Sequence, residues 1–403
     1  MPDTNMTGVK RARRVRHTGR FSQVRVYLGK QLRFFINESD WKVLPMAAII
    51  AGLVAMVIRR RFCVDMEGSL FGGFALTCVA IWNGCFNSIQ AVCRERAIIK
   101  REHRSGMHIS SYMLAHMIYQ FLLCVLQTVV SVYVMILMDI KVPERGFMTP
   151  WMFVDIGISI LLISYASDMM SLLISSFSKT TTAAMTVMPF VLIFQLVFSG
   201  GIIPLPAWSR SLSKLTISNY GIRAIAAQSG YNELPMVTGW NTLAGMKDKE
   251  IEETVTVEQL LGILDSKPVA THRDEMLIPS LTVGEAAKYL NVRLDESVNP
   301  EEVLNDPVTV GDFLDFAKAS DAVQSNKDRQ ITLKTTVGEI MDIFGEDNVR
   351  EMVQKKTAEA AFKPEYERSA RNIAGNWAML FVFILAFAAL STIVLEMIDK
   401  DKR

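Results

Sequence analysis

Half of the 403 residues are hydrophobic and cluster in long runs, while 43 Lys and Arg against 41 Asp and Glu leave a formal net charge of +2. Such clustering excludes an ordinary soluble domain, and the near balance of charge leaves nucleic acid out of the expected partners. The sequence holds no Gly-x-x-x-x-Gly-Lys-Ser/Thr loop, no His-Glu-x-x-His, no Gly-x-Ser-x-Gly and no Cys-x-x-Cys, and its five histidines are scattered, so no catalytic, cofactor or metal site is expected.

Residues 1–20 are basic and polar and read as disordered. From Phe21 to Phe35 the apolar positions Val24, Val26, Tyr27, Leu28, Leu32 and Phe35 recur at mostly helical spacing among Arg25, Lys30 and Arg33, which predicts an amphipathic helix lying on the inner membrane surface. Six apolar runs follow, about Val43 to Val57, Ser69 to Val92, Ile109 to Met138, Trp151 to Ile174, Ala183 to Phe198 and Ala374 to Leu395. About 20 apolar residues cross a bilayer at roughly 1.5 Å rise per residue. The first run is short, bounded by Trp41 and Arg59 as interfacial anchors. It begins some forty residues in with no small-residue cleavage site after it, so a retained anchor is expected rather than a signal peptide.

Between the second and third runs lies a dense charged block, Arg94-Glu-Arg-Ala-Ile-Ile-Lys-Arg-Glu-His-Arg-Ser-Gly106, which must sit in water. Six spans place both ends of the chain on one side, and the Lys/Arg bias selects the cytoplasm: eighteen basic residues fall on that side against five in the short loops opposite. The cluster Arg59-Arg60-Arg61 is among the five and dissents. Cys63, Cys78, Cys85, Cys93 and Cys124 show no paired spacing and read as small apolar packing residues.

Inside the spans His116 and Asp168 fall at similar depth, and the reading pairs them across a helix contact, as a structural lock in preference to a proton relay. Gln120 and Gln127 extend the same face of the third span as interhelical hydrogen-bonding groups. After the fifth span, Gly200, Gly201, Pro204 and Pro206 break the helix within an apolar stretch, which suggests a re-entrant hairpin buried in protein, with a simple loop as the alternative.

A polar insert, residues 230–371, carries 27 of the 41 acidic residues and no cysteine. Within it Thr256-Val-Glu-Gln, Thr282-Val-Gly-Glu, Thr309-Val-Gly-Asp and Thr336-Val-Gly-Glu recur at intervals of 26, 27 and 27 residues, each followed by an apolar run. Thr followed three residues later by Glu or Gln is a capping box, so four similarly capped short helices are predicted, either in an ordinary helical domain or in a small solenoid with a binding face. The expected architecture is therefore an all-α integral membrane protein. Its parts are residues 1–20, a membrane part over 21–229, the largely helical extracytoplasmic insert over 230–371, and a last span with a cytoplasmic tail over 372–403.

Glu95-Arg-Ala-Ile-Ile-Lys-Arg-Glu102-His-Arg-Ser-Gly106, followed by Ser110-Ser-Tyr112 and a span, resembles the charged block of ABC-2 type (type V) ABC transporter permeases, in the flavour of the G-subfamily and its bacterial relatives. The resemblance covers about residues 20–227 and 374–398. It implies six spans, a connecting helix before the first, a re-entrant element after the fifth, and a dimer with the pathway at its interface. It places Glu95, Arg96, Arg101, Glu102 and Gly106 in the region that couples the membrane part to an ATPase. Because the sequence shows no nucleotide-binding motif, it also implies a separate ATPase subunit holding ATP and Mg, and a second permease, identical or not. Ile99 stands where the block usually has an aromatic, and the acidic repeat insert departs from the compact cysteine-bearing loop of eukaryotic members. The expectation is an exporter permease in the plasma membrane, itself not an enzyme, whose substrate the sequence leaves open: Met169, Met170, Met185 and Met188 suit a hydrophobic or lipid-like molecule and fill a core equally well. Two rivals are a membrane receptor or scaffold using the insert as its ligand-binding domain, and an ion-coupled transporter using Asp168 and His116.

Overall fold

In a computed structural model of the chain the described residues are 19–37, 40–201, 206, 209–264, 273–274, 282–284, 286, 307, 309–325, 327–328, 330–344 and 346–397. The basic N-terminus through residue 18, Pro204, most of the second repeat and the C-terminal tail lie outside them. The chain divides into two compact units, residues 1–235 with 361–403, and residues 236–360.

The first unit begins with α1 (Arg20–Asn37), which packs on α5 and buries Gln31 in that contact. Then α2 (Val43–Ile58) presents Ala47, Ala51, Ala55 and Ile58 at helical spacing as its buried stripe. Those small side chains let α2 approach α5 closely, while Met46, Ile49, Leu53, Met56 and Val57 stay exposed as the face suited to lipid.

The turn into α3 (Met66–Ser88) is set by Asp65, whose carboxylate accepts from Gly68 N at 2.6 Å as the helix cap and holds Arg61 with two 2.9 Å bonds. Cys63 occupies the left-handed backbone region of that turn (φ 59°), and burial pushes its thiol up to about 12. Thiolate is then scarce at neutral pH, so Cys63 is expected to resist maleimide at pH 7–8 and to react readily only after denaturation. Mass spectrometry of native and denatured protein measures the difference; equal labelling in both would contradict it.

At Ile89–Gln90 the helix breaks and resumes as α4 (Ala91–Arg104). The break is supplied with partners: Val92 N and Cys93 N both donate to Ser175 Oγ at 3.1 Å. Next come α5 (Ile109–Leu137) and α6 (Met152–Phe177), the latter buried along most of its length among α3, α5, α9 and the last helix. α7 (Thr181–Val197) is capped by Thr180 and contains Pro189. After the short α8 (Arg210–Ser213), α9 (Ile217–Gln228) is almost wholly buried. Its start is held by Gln195 of α7, whose Oε1 accepts from Ile217 N at 2.8 Å, and its end by Gln228, which bonds Ser159 and the Asp155 carbonyl of α6. The hairpin region thus leads into a helix seated in protein.

Among the described residues four helical segments are long and apolar enough to cross a membrane: Met66–Arg104 taken through the break, Ile109–Leu137, Met152–Phe177 and the last helix, Ala370–Glu396. The other two predicted spans are apolar helices of 16 and 17 residues, about 24–26 Å long at 1.5 Å per residue and short of a hydrocarbon core about 30 Å thick. The first unit is a helical membrane bundle.

The second unit contains α10 (Thr238–Ala244), β1 (Glu250–Thr256), α11 (Val257–Leu264), α12 (Val310–Ala319), α13 (Asp321–Gln324), β2 (Gln330–Thr336), α14 (Val337–Phe344) and α15 (Glu346–Ala360). β1 and β2 pair antiparallel with Glu250 opposite Thr336 and Thr256 opposite Gln330, an element the all-helical expectation lacked. The residues before Thr256 and Thr336 alternate and are rich in Ile, Val and Thr, which suits a strand leading into a capped helix. The last helix, α16 (Ala370–Glu396), is capped by Ser369 and returns the chain to the first unit.

The repeats pair in a nested order. Lys247, Arg273 and Lys327 each lie nine residues before a repeat threonine. Gly338 N of the fourth repeat donates to Lys247 O at 2.9 Å, and Glu258 N of the first donates back to Lys327 O at 3.3 Å. Gly311 N of the third makes the equivalent bond to Arg273 O of the second at 2.9 Å, and Thr282 bridges Pro307. First thus pairs with fourth and second with third, a reciprocal pattern unlike the stepwise stacking of a solenoid.

Among the described residues two capping boxes are complete. Thr256 and Gln259 exchange bonds of 3.1 and 3.3 Å, and Thr309 and Asp312 exchange two of 3.1 Å. Thr309→Ala removes one such cap and is expected to cost about 1 kcal/mol locally. Limited proteolysis of the intact chain should then cut faster within residues 236–360 and no faster elsewhere; unchanged cleavage would contradict the cap's role.

Candidate functional site

The predicted charged block is helix α4, and it is gripped from two sides. Glu95, although charged, is buried: its Oε2 accepts from Lys30 Nζ of α1 at 3.0 Å and from Tyr112 Oη of α5 at 3.2 Å. Two turns further along α4, Glu102 Oε2 accepts from Tyr27 Oη at 3.0 Å. At the α4–α5 turn Gln23 of α1 donates to Gly106 O at 3.3 Å and accepts from His108 N at 2.9 Å. Gly106 has φ 102°, a conformation that glycine adopts without a Cβ penalty, and it turns the chain from α4 into α5.

Four polar residues of α1, Gln23, Tyr27, Lys30 and Gln31, therefore form one stripe that engages α4 and α5. Tyr27 also stands edge-on to Tyr112 with centroids 5.5 Å apart. Burial, then the bond to Glu102, raises the Tyr27 phenol well above its usual range, so it stays a donor at any working pH. The other face of α4 binds α6: Arg96 Nη1 donates to Ser176 O at 2.8 Å and Ser178 O at 3.2 Å, placing a guanidinium on the carbonyl end of that helix. Ile99, in place of the expected aromatic, is fully buried. Arg101 is exposed.

What this arrangement can do follows from its connectivity. α4 is tied to α1 by two carboxylates, to α5 by Glu95 and the Gly106 turn, and to α6 by Arg96. α4 is therefore bonded to three helices at once, largely through charge-assisted hydrogen bonds, which are shorter and stronger than neutral ones. The polar stripe of α1 falls at positions 23, 27, 30 and 31, which share one helical face.

The intramembrane polar residues separate. His116 pairs with Gln31 of α1 at 2.9 Å, and Asp168 meets Cys124 Sγ at 3.5 Å, two helical turns along α5 from His116. The expected His116–Asp168 pair is corrected accordingly: counting from span ends sets height in the bilayer, but not which way each helix faces. Gln120 donates to Asn87 O at 3.3 Å, and Gln127 exchanges bonds of 2.8 and 3.0 Å with Asn87, so both join α5 to α3. Gly201 sits where a Cβ would meet Ile222 of α9, Gly200 has φ 71°, and Pro206 is exposed. No group of three metal-ligating side chains occurs among the described residues.

The ABC-2 type transporter family matches residues 34–228, from the end of α1 to the last residue of α9. A Mycobacterium tuberculosis protein described as an ABC transporter ATP-binding/permease protein is 26% identical over 227 residues. The matched stretch is 52% of this chain and 26% of that relative, so the chain spans about a quarter of the curated relative's length.

Proposed function

We propose, from the premise that residues 34–228 are an ABC-2 type transporter membrane domain, that this chain is the permease subunit of an ATP-driven exporter. The observation that carries the reading is the double engagement of α4, by Lys30 and Tyr112 at Glu95 and by Tyr27 at Glu102. A permease has to convert closure of an ATPase into movement of its spans, and α4 is the polar element tied to three helices. In this reading Glu95, Arg96, Glu102 and Gly106 transmit the movement, and exposed Arg101 meets the ATPase.

ATP and Mg belong to a partner ATPase subunit. The relative's description joins ATP binding and permease in one name. A second permease completes the pathway. Six helices cross the plasma membrane, with α2 and α7 as short spans, and the charged block faces the cytoplasm together with both chain ends. Eighteen basic residues against five support that orientation. The dissenting arginines have structural employment where they stand: Arg61 holds the cap Asp65, and Arg59 lies 3.6 Å from Asp139. The repeat unit is then extracytoplasmic, and the substrate is hydrophobic or lipid-like.

Affinity purification of the solubilised chain from its native cells, with mass spectrometry and an ATPase assay, tests this. A stoichiometric ATP-binding subunit lost on Glu102→Arg, with the fold intact, is the expected result. A preparation with no ATPase under crosslinking would favour the receptor or scaffold reading.

A further inference from the structure

A cavity of about 270 Å³ lies where α1, the α3–α4 break and α5 converge, and its lining is more polar than apolar. Two of its lining side chains are more than nine-tenths buried and hold a polar atom with no partner among the described residues: His116 Nδ1 and Gln120 Oε1. Their other ends are used. Gln31, through its amide nitrogen, donates to His116 Nε2, which puts the imidazole hydrogen on Nδ1 and makes that atom a donor. Gln120 spends its NH₂ on Asn87 O, which leaves its oxygen as an acceptor. The site therefore asks for a ligand that accepts at one point and donates at another.

Shape narrows the class. The charged side chains of the lining are Glu95, paired with Lys30 at 3.0 Å, and exposed Arg94. The apolar lining includes Val43, Leu123 and Phe86, and Phe86 is 54% exposed beside Trp82. A polar interior beside an exposed apolar side chain fits an amphiphile with its head inside.

We propose that this cavity seats the headgroup of a hydroxyl-bearing anionic glycerophospholipid such as phosphatidylglycerol. The phosphodiester accepts from His116, a headgroup hydroxyl donates to Gln120, and the acyl chains leave across Phe86. Bound there, the lipid touches α1, α4 and α5 together and braces the junction described above. The inference rests on the bilayer placement in the proposed function, which puts this junction at the inner lipid interface, where anionic headgroups are available. Phosphatidylcholine offers a phosphodiester but no hydrogen-bond donor, so it cannot satisfy Gln120.

Native mass spectrometry of the full-length detergent-solubilised protein, delipidated and offered equimolar phosphatidylglycerol and phosphatidylcholine, tests it. One phosphatidylglycerol per chain is expected, preferred about tenfold, and Gln120→Leu should erase most of that preference, since one hydrogen bond in a dry site is worth about a factor of ten. Phe86→Ala, at a half-exposed position, should weaken both lipids alike and keep the ratio. Equal retention of the two lipids, a ratio untouched by Gln120→Leu, or displacement of the lipid by equimolar glycerol 3-phosphate would each overturn the proposal, the last by assigning the site to soluble phosphate esters. Release of the chain from membranes by alkaline carbonate would instead sink the bilayer placement itself, which keeps the two failures distinct.

Discussion

Glu95→Ala is expected to lower the melting temperature of the solubilised chain by roughly 5–10 °C and, on the proposed function, to cut ATP-driven transport more than tenfold. The argument begins with what the substitution leaves behind. Glu95 has a side chain only 10% exposed and is the shared acceptor for Lys30 and Tyr112. Removing it strands an ammonium and a hydroxyl at the α1–α4–α5 junction, and truncating one partner of a buried charged pair costs about 3–5 kcal/mol. Lys30 retains 27% exposure and can turn partly to water, so about 2–3 kcal/mol is the appropriate scale. A loss of that size corresponds to several degrees in a unit of this length.

The transport defect follows from the same geometry: α1 would no longer move with α4. Arg101→Ala is the stability control, since its exposed side chain predicts a change within about 0.5 kcal/mol. A double-mutant cycle of Lys30→Met with Glu95→Gln should return a coupling of about 1 kcal/mol. Glu95→Ala with the melting temperature of Arg101→Ala and normal transport would contradict the whole account of the junction.

How much of this was legible depends on the kind of pattern involved. Apolar runs located six hydrophobic helices within a few residues, four of them long enough to cross a membrane, because a run of Val, Ile, Leu and Phe is the same signal whatever it packs against. The charged block stood out for the same reason, as a local excess. Its partners did not: Tyr27, Lys30 and Gln31 reach α4 and α5 from 65 to 85 residues away, and no local pattern reports which distant carboxylate a tyrosine will meet. Helix azimuth was also hidden. Asp168 and His116 share a depth by counting, yet one faces Cys124 and the other faces α1.

The repeats show the opposite case. Their period and the capping boxes at Thr256 and Thr309 were readable as local hydrogen-bond grammar, but the strands before the first and fourth were not. A seven-residue alternating stretch becomes a strand only when a partner of matching register exists, and that partner lies 80 residues on.

Gly84→Val is expected to be the most damaging single substitution in the membrane unit, with a melting temperature lowered by more than about 10 °C and most of the protein lost to aggregation on solubilisation. Gly84 sits on α3 against α6, where a Cβ would overlap the Ser164 carbonyl oxygen and stand 2.9 Å from Asp168 N. Both obstacles are backbone atoms of a helix, so no side-chain rotation relieves the overlap. The helices are also hydrogen-bonded at that level: Ser167 Oγ donates to Ile81 O at 2.8 Å and lies 3.0 Å from Cys85 Sγ. Forcing the helices apart would break those contacts and unpack this close approach, where lipid supplies no hydrophobic drive to restore it. Overpacking a rigid site costs about 1–3 kcal/mol, and the lost hydrogen bonds add about 1 kcal/mol each. Together these reach the scale of several kcal/mol at which domains fail. Gly84→Ala should show the same defect in milder form. Gly375→Ala on α16 is the control, because a Cβ there meets nothing within 4 Å and alanine raises helix propensity. Fluorescence-detected size exclusion of the three variants, followed by thermal ramps on the monodisperse fraction, measures the series. A Gly84→Val protein as monodisperse and as stable as Gly375→Ala would mean that α3 and α6 do not meet at this glycine.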